Sequence, residues 1–203
     1  MKRSVSQKNA KKILDATLKL FVKKGFHGTT ISDISKATRL TEGGIYFHFE
    51  NKYDFLTKLL AEYERNYLNK MIEEVEAQSG KATDKMAHFL RLTQNFASKN
   101  RELCLCLPNL ATELCSINRR YEKDIKRIYD KHIKFFVDLI EEGKKDGSFR
   151  DVDSRIVALH LIGSNEGNLL MWNMYRKAIN SEDFSRSYMR FFLNGICKPK
   201  QKV

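Results

Sequence analysis

Two prolines in 203 residues leave little punctuation for a loop-rich fold, and ten glycines are few for one built on tight turns. Long apolar runs are missing too: a spanning helix needs about 20 consecutive apolar residues, and the longest such run near the middle of the chain is LCLCL, Leu103–Leu107. The opening MKRSVSQKNAKK is basic and polar and leads into no apolar stretch of the secretory kind. A cytoplasmic protein without a membrane partner is expected. The cysteines Cys104, Cys106, Cys115 and Cys197 lack zinc-finger and C-x-x-C spacing. Cys104 and Cys106 fall about 200° apart on a helix, so buried reduced thiols are expected, and no metal or other cofactor. The histidines at 27, 48, 88, 132 and 160 have no nucleophile or convergent carboxylates beside them, so no catalytic residue is assigned.

What the chain has in excess is positive charge, a formal +12, and it is concentrated. Residues 1–52 hold 11 Lys/Arg against 4 Asp/Glu, a net +7, whereas residues 53–203 hold 26 against 21, a net +5 over three times the length. The front quarter is the candidate for meeting a polyanion.

The periodicity is helical throughout. In QKNAKKILDATLKLFVKKG, Ile13, Ala16, Leu20 and the adjoining Leu14, Thr17, Leu18 and Phe21 form a stripe opposite lysines, with Gly25 as the stop. In TTISDISKA, Thr30 and Asp33 have capping-box spacing, and Ile31, Ile34 and Ala37 form the expected buried edge. NKYDFLTKLLAEYERNYLNKMIEEVEAQSG reads as one long helix reaching toward Gly80. Further helices follow to the end of the chain, the last two with Asp153 and Ser181 as expected caps, and Pro108 is expected to bend or interrupt its own. The ending KPKQKV is a basic tail.

One stretch is written unlike the rest: LTEGGIYFHFENK, Leu40–Lys52. Two glycines open a short helix and four rings follow. At about 100° per residue from Glu42, Ile45 and Phe49 fall near 300° and 340°, while Gly43, Gly44, Phe47 and His48 occupy an arc from about 100° to 240°. The first pair would pin the helix to its neighbours. Bare glycines on the opposite arc cost up to about 1 kcal/mol each and suit close approach by a large rigid object. Two short helices joined by a tight turn, on the most basic part of the chain, make a helix-turn-helix aimed at the major groove of duplex DNA.

The string ILDATLKLFVKKGFHGTTISDISKATRLTEGGIYFHFENKYDFLTKLL resembles the N-terminal domain of TetR/AcrR transcriptional regulators. The glycine after the first helix, the TT pair, the Ile-Tyr-aromatic-His-Phe string and Lys52 are all in step. LCLCLPNLATEL is similar to a cysteine-and-Asn-Leu motif of one subgroup. The resemblance implies an all-α protein: a three-helix helix-turn-helix DNA-binding domain at 1–52, a connecting helix from about residue 51, and a helical ligand-binding and dimerisation domain at 53–203. It implies that Thr30, Tyr46, His48 and Lys52 hold phosphates and that Ser32, Glu42, Gly43, Gly44 and Phe47 face the groove. Thr30 and Thr41, at helix starts, expose backbone N–H groups to anions. Arg39 stands where the family commonly has glycine; it either makes a DNA contact or is an exposed arginine in an altered turn. Glu42, in place of a common lysine, accepts from cytosine N4 or caps its own helix.

For the larger domain the resemblance implies a sensor and a dimer. Apolar residues spread widely around DSRIVALHLIGSNEGNLLMWNMYRK and DFSRSYMRFFLNGI, as suits helices covered on more than one side, and these last two helices would pair with their copies about a twofold axis. Polar residues embedded among apolar ones, Asn109, Glu113, His132, Asn165 and Glu166, either line a pocket with Phe89, Phe96, Leu107, Phe136 and Trp172 or make interhelical hydrogen bonds. The expected function is a homodimeric repressor released from a palindromic operator by an apolar or aromatic small molecule. A helical enzyme or a membrane-surface module are the competing classes.

Overall fold

The structure is a computed structural model; it describes residues 2–198, apart from the side chains of residues 2–5 and 181. All but the first residue of the basic tail lies outside the described residues. Ten α-helices follow one another: α1 (Lys2–Lys24), α2 (Ile31–Thr38), α3 (Glu42–Tyr46), α4 (Lys52–Tyr63), α5 (Asn69–Glu76), α6 (Ala82–Lys99), α7 (Arg101–Leu114), α8 (Arg119–Lys145), α9 (Ser154–Tyr175) and α10 (Ser181–Ile196). A π-helical turn, Glu64–Leu68, joins α4 to α5. The long helix anticipated from residue 51 therefore exists, widened by one π turn, and ends at Glu76, before Gly80. Pro108 sits inside α7 without interrupting it. Among the described residues the sole extended pairing is an isolated antiparallel bridge between Phe149 and Cys197.

The chain packs as two compact units. One runs up to Arg65 and takes in Glu102–Ile128; the other holds Asn66–Arg101 and the chain from Tyr129 onward. The first three helices thus share their unit with α4, most of α7 and the start of α8. In this first unit the α1 stripe buries Ile13, Thr17 and Phe21, and the Thr17 hydroxyl is satisfied by donating to the Ile13 carbonyl at 2.8 Å. Ile34, Ile45, Phe49 and Phe55 are buried in the same unit, the last two stacked at 4.3 Å. The buried edge of α2 is Ile34 and Thr38; of the other residues expected there, Ile31 is half-buried and Ala37 is exposed.

In the second unit Phe89, Phe135 and Phe136 form a tilted aromatic cluster, with Phe89 edge-on to Phe136 at 4.8 Å. Asp153 caps α9 by accepting from the Arg155 and Ile156 N–H groups. The cap of α10 is Asn180 and not Ser181: the Asn180 side chain reaches the N–H groups of Glu182 and Asp183 and leaves Ser181 as the first helical residue. Among the described residues no helix is long and apolar enough to cross a membrane.

Candidate nucleic-acid interface

Local hydrogen bonding fixes the front of the molecule. The turn leaving α1 begins at Gly25, whose φ of +78° is a conformation L side chains rarely adopt. The Thr29 hydroxyl returns a 2.8 Å bond to the Gly25 carbonyl. Thr30 then caps α2 through the full capping box: its hydroxyl accepts from the Asp33 N–H at 3.1 Å, and the Asp33 carboxylate accepts from the Thr30 N–H at 3.0 Å. A 2.7 Å bond from Lys24, helped by Thr30, holds the Asp33 carboxyl down at about 2.

Between α2 and α3 the turn is made by a strained residue. Arg39 has φ 55° and ψ 34°, and among the described residues it is the one non-glycine with positive φ. That costs about 1 kcal/mol relative to glycine. The Ser35 hydroxyl closes the turn by donating to the Leu40 carbonyl at 2.6 Å, and the Arg39 side chain is exposed. Thr41 then caps α3, accepting from the Gly44 N–H at 3.1 Å, so capping falls to Thr41 while Glu42 lies exposed in the first turn.

Over α3 and the turn that follows it, Ile45 and Phe49 face inward as the spacing predicts, although the helix ends at Tyr46 and His48 is half-buried. Ile45 is 0% exposed and Phe49 2%, while Tyr46 is 51% and Phe47 78% exposed. A Cβ added at Gly43 would meet nothing within 4 Å, and one at Gly44 would meet only the Thr41 hydroxyl at 3.3 Å. The glycines and Phe47 therefore form an uncovered ridge, where a large apolar ring lies in water unless a partner covers it. Ser32 and His48 are half-buried; the His48 ring stands edge-on to Phe47 at 5.0 Å.

Lys52 opens α4, half-buried, and its ammonium donates to the His27 carbonyl at 3.2 Å over the Phe26 ring at 4.7 Å. Burial lowers its pKa, opposed by the charges of Glu113 and Asp33. Spacing did not reveal Lys58, which reaches back from α4 to the His48 carbonyl at 3.0 Å while paired with Asp54. Its i,i+4 pairing with Asp54 was visible; its reach to residue 48 needed the fold.

The ten pocket candidates are divided between the two compact units. Phe89, Phe96, His132, Phe136, Asn165, Glu166 and Trp172 fall in the second unit, and Leu107, Asn109 and Glu113 in the first. His132 is buried near the Tyr67 ring at 6.1 Å, and burial lowers its pKa to about 4, which makes it neutral near pH 7. Glu166 accepts from the Tyr129 hydroxyl at 2.5 Å, and burial raises its pKa against that bond. Phe96, Asn165 and Trp172 are half-buried, Leu107 is buried, and Asn109 is exposed. Burial pushes the Cys104 and Cys106 thiols up to about 12, which makes them poor nucleophiles. Among the described residues no group of three or more His, Cys, Asp or Glu stands together to hold a metal ion.

Residues 13–59, the span just described, match the family model for bacterial regulatory proteins of the tetR family. The chain is 27% identical over 169 residues to the HTH-type transcriptional repressor DhaR of Mycobacterium sp. strain GP1, covering 81% of this chain and 82% of that protein. The crystal structure of the MbdR regulator from Azoarcus sp. CIB superposes with a TM-score of 0.80 at 26% identity, covering 92% and 98% of the two chains. That of the transcriptional regulator FadR from Bacillus subtilis in complex with stearoyl-CoA shares the fold at a TM-score of 0.74 and 22% identity, covering 91% and 98%. The helix-turn-helix at the front is thus a DNA-binding domain of the tetR kind, and the chain resembles transcriptional regulators built on that domain along nearly its whole length.

Proposed function

We propose that the protein is a cytoplasmic homodimeric repressor that grips a palindromic operator and lets go when a small molecule with an apolar or aromatic body binds its larger domain. The observation that carries this reading is the bare ridge of Gly43, Gly44 and Phe47 standing between capped helix starts. In the proposal residues 1–52 are the DNA-reading head and residues 53–203 carry sensing and pairing. The ridge enters the major groove with Ser32 and Glu42 beside it, while Thr30, Thr41, Tyr46, His48, Lys52 and the exposed Arg39 take the phosphates.

Pairing is assigned to α9 and α10, where Ile156, Leu159, Leu170, Met174, Tyr175 and Phe191 are exposed. So many exposed apolar side chains on two helices favour a protein interface there. Two heads related by a twofold axis can then meet successive major grooves. The effector is assigned to the second unit, among Phe89, Phe96, His132, Phe136, Asn165, Glu166 and Trp172. A neutral buried histidine and an aromatic cluster favour an apolar guest, and the relative that takes stearoyl-CoA supports one. Release requires that the effector bind the non-operator arrangement of the heads more tightly than the operator-bound one, tenfold for every ~1.4 kcal/mol.

Lys52→Ala tests the phosphate grip. Each neutralised phosphate contributes about 0.9 to the slope of log affinity against log salt. The variant is expected to weaken binding to all duplexes alike and to flatten that slope by about one unit. Fluorescence anisotropy between 50 and 300 mM salt, on the order of the range where counterion release is steep, reads it; an unchanged slope contradicts the role.

A further inference from the structure

Glu113, in the last turn of α7, sends its carboxylate into the turn that leaves α1. One oxygen accepts from the Phe26 backbone N–H at 2.6 Å and the other from the His27 N–H at 2.7 Å. These bonds join residues 86 and 87 positions apart within one compact unit. The carboxylate fits because residue 25 has no side chain: a Cβ at Gly25 would stand 2.8 Å from Oε2 and 3.1 Å from Oε1. The same dipeptide carries Lys52, whose ammonium takes the His27 carbonyl at 3.2 Å and lies over the Phe26 ring at 4.7 Å. Tyr121 of α8 closes on Phe26 edge-on at 5.5 Å and stacks on Tyr53 at 5.3 Å, so the dipeptide is held from a second side.

We propose that Glu113 is a positioning residue for DNA binding: by clamping the Phe26 and His27 amides it fixes the carbonyl and the ring against which Lys52 is held ready for a phosphate. An ammonium has three donors; one anchored on His27 aims the group and leaves two for an anion. Holding the side chain in place beforehand removes the ordering cost that a free lysine bears on binding. The inference rests on Lys52 being a phosphate contact. It makes a prediction opposite in sign to plain electrostatics, since a carboxylate near a DNA-facing lysine repels phosphate and its removal alone would tighten binding.

The experiment is a double-mutant cycle on duplex DNA recovered from a random pool by the wild-type protein. It compares wild type, Glu113→Gln, Lys52→Ala and the double variant, with melting curves for each. Glu113→Gln keeps one acceptor and meets the second N–H with a donor; it is expected to weaken binding about tenfold, far beyond the effect of an ordinary surface change. In the Lys52→Ala background the same change is expected to cost less than about twofold, because the group it positions is gone. Glu113→Asp, which keeps the charge but falls one methylene short, is expected to lose as much as Gln and so separates reach from charge. The proposal is overturned if Glu113→Gln and Glu113→Asp bind as tightly as wild type or tighter, or if the loss is equal in both backgrounds. Wild-type affinity and salt slope in Lys52→Ala alone would instead overturn the phosphate role of Lys52 on which the inference stands.

Discussion

Gly43→Leu is expected to lower operator affinity at least about 100-fold while the protein stays folded. The position is open: among the described residues, apart from its chain neighbours and its own helix backbone, nothing lies within 4 Å of where a Cβ would stand. A leucine there meets only water in the free protein and gains about 1 kcal/mol of helix propensity over glycine. In the complex it stands where the groove must come, and the ridge is lifted off the base edges. What remains is attraction to phosphate, and specific binding typically exceeds that background by about 10³–10⁷. Gly44 is a less clean site for the test, because its Cβ would sit 3.3 Å from the Thr41 hydroxyl that caps α3 and would put about 1 kcal/mol of capping at risk. Anisotropy titrations paired with circular dichroism read the outcome. Unchanged affinity in a folded Gly43→Leu protein would mean that DNA does not approach this face.

Phe191→Glu is expected to split the proposed dimer. The ring is 82% exposed on α10, an unusual place for a phenylalanine unless a second surface covers it. Burying a phenylalanine side chain contributes about 1.5–3 kcal/mol. In an isologous interface each contact occurs twice, so exchanging the ring for a carboxylate is expected to raise the dimer dissociation constant by at least about 100-fold. Operator affinity should fall with it, since one head holds only a half-site. Sedimentation at micromolar protein reads the assembly state directly. A Phe191→Glu protein that sediments as wild type would place the subunit contact elsewhere.

The two halves of the molecule were unequally legible in the sequence, for a physical reason. What depends on near neighbours could be read: the Thr30–Asp33 capping box is a spacing and the inward face of Ile45 and Phe49 is a period, while the strained turn at Arg39 came only from the resemblance, which has glycine there. What depends on distant partners could not. Glu113 sits among apolar residues, and sequence gives the same signal for a carboxylate lining a pocket as for one clamping backbone amides 86 residues away. Ala37 had the period of a buried residue and is exposed. Asn180 and Ser181 are both good caps, and the chain path chose the first. The π turn at Glu64–Leu68 leaves the residue types of a long helix unchanged, so periodicity passed over it.

On the proposed reading, two glycines and a bare phenylalanine, flanked by capped helix starts and cations, make a surface that reads duplex DNA in pairs. Incubating the wild-type protein with a pool of random duplexes, recovering what stays bound and sequencing it tests that claim most directly. The account expects an inverted repeat whose half-site centres lie one helical turn apart, about 10 base pairs, or a multiple of it. A recovered pool with the composition of the input, or an enriched motif without twofold symmetry, would contradict it.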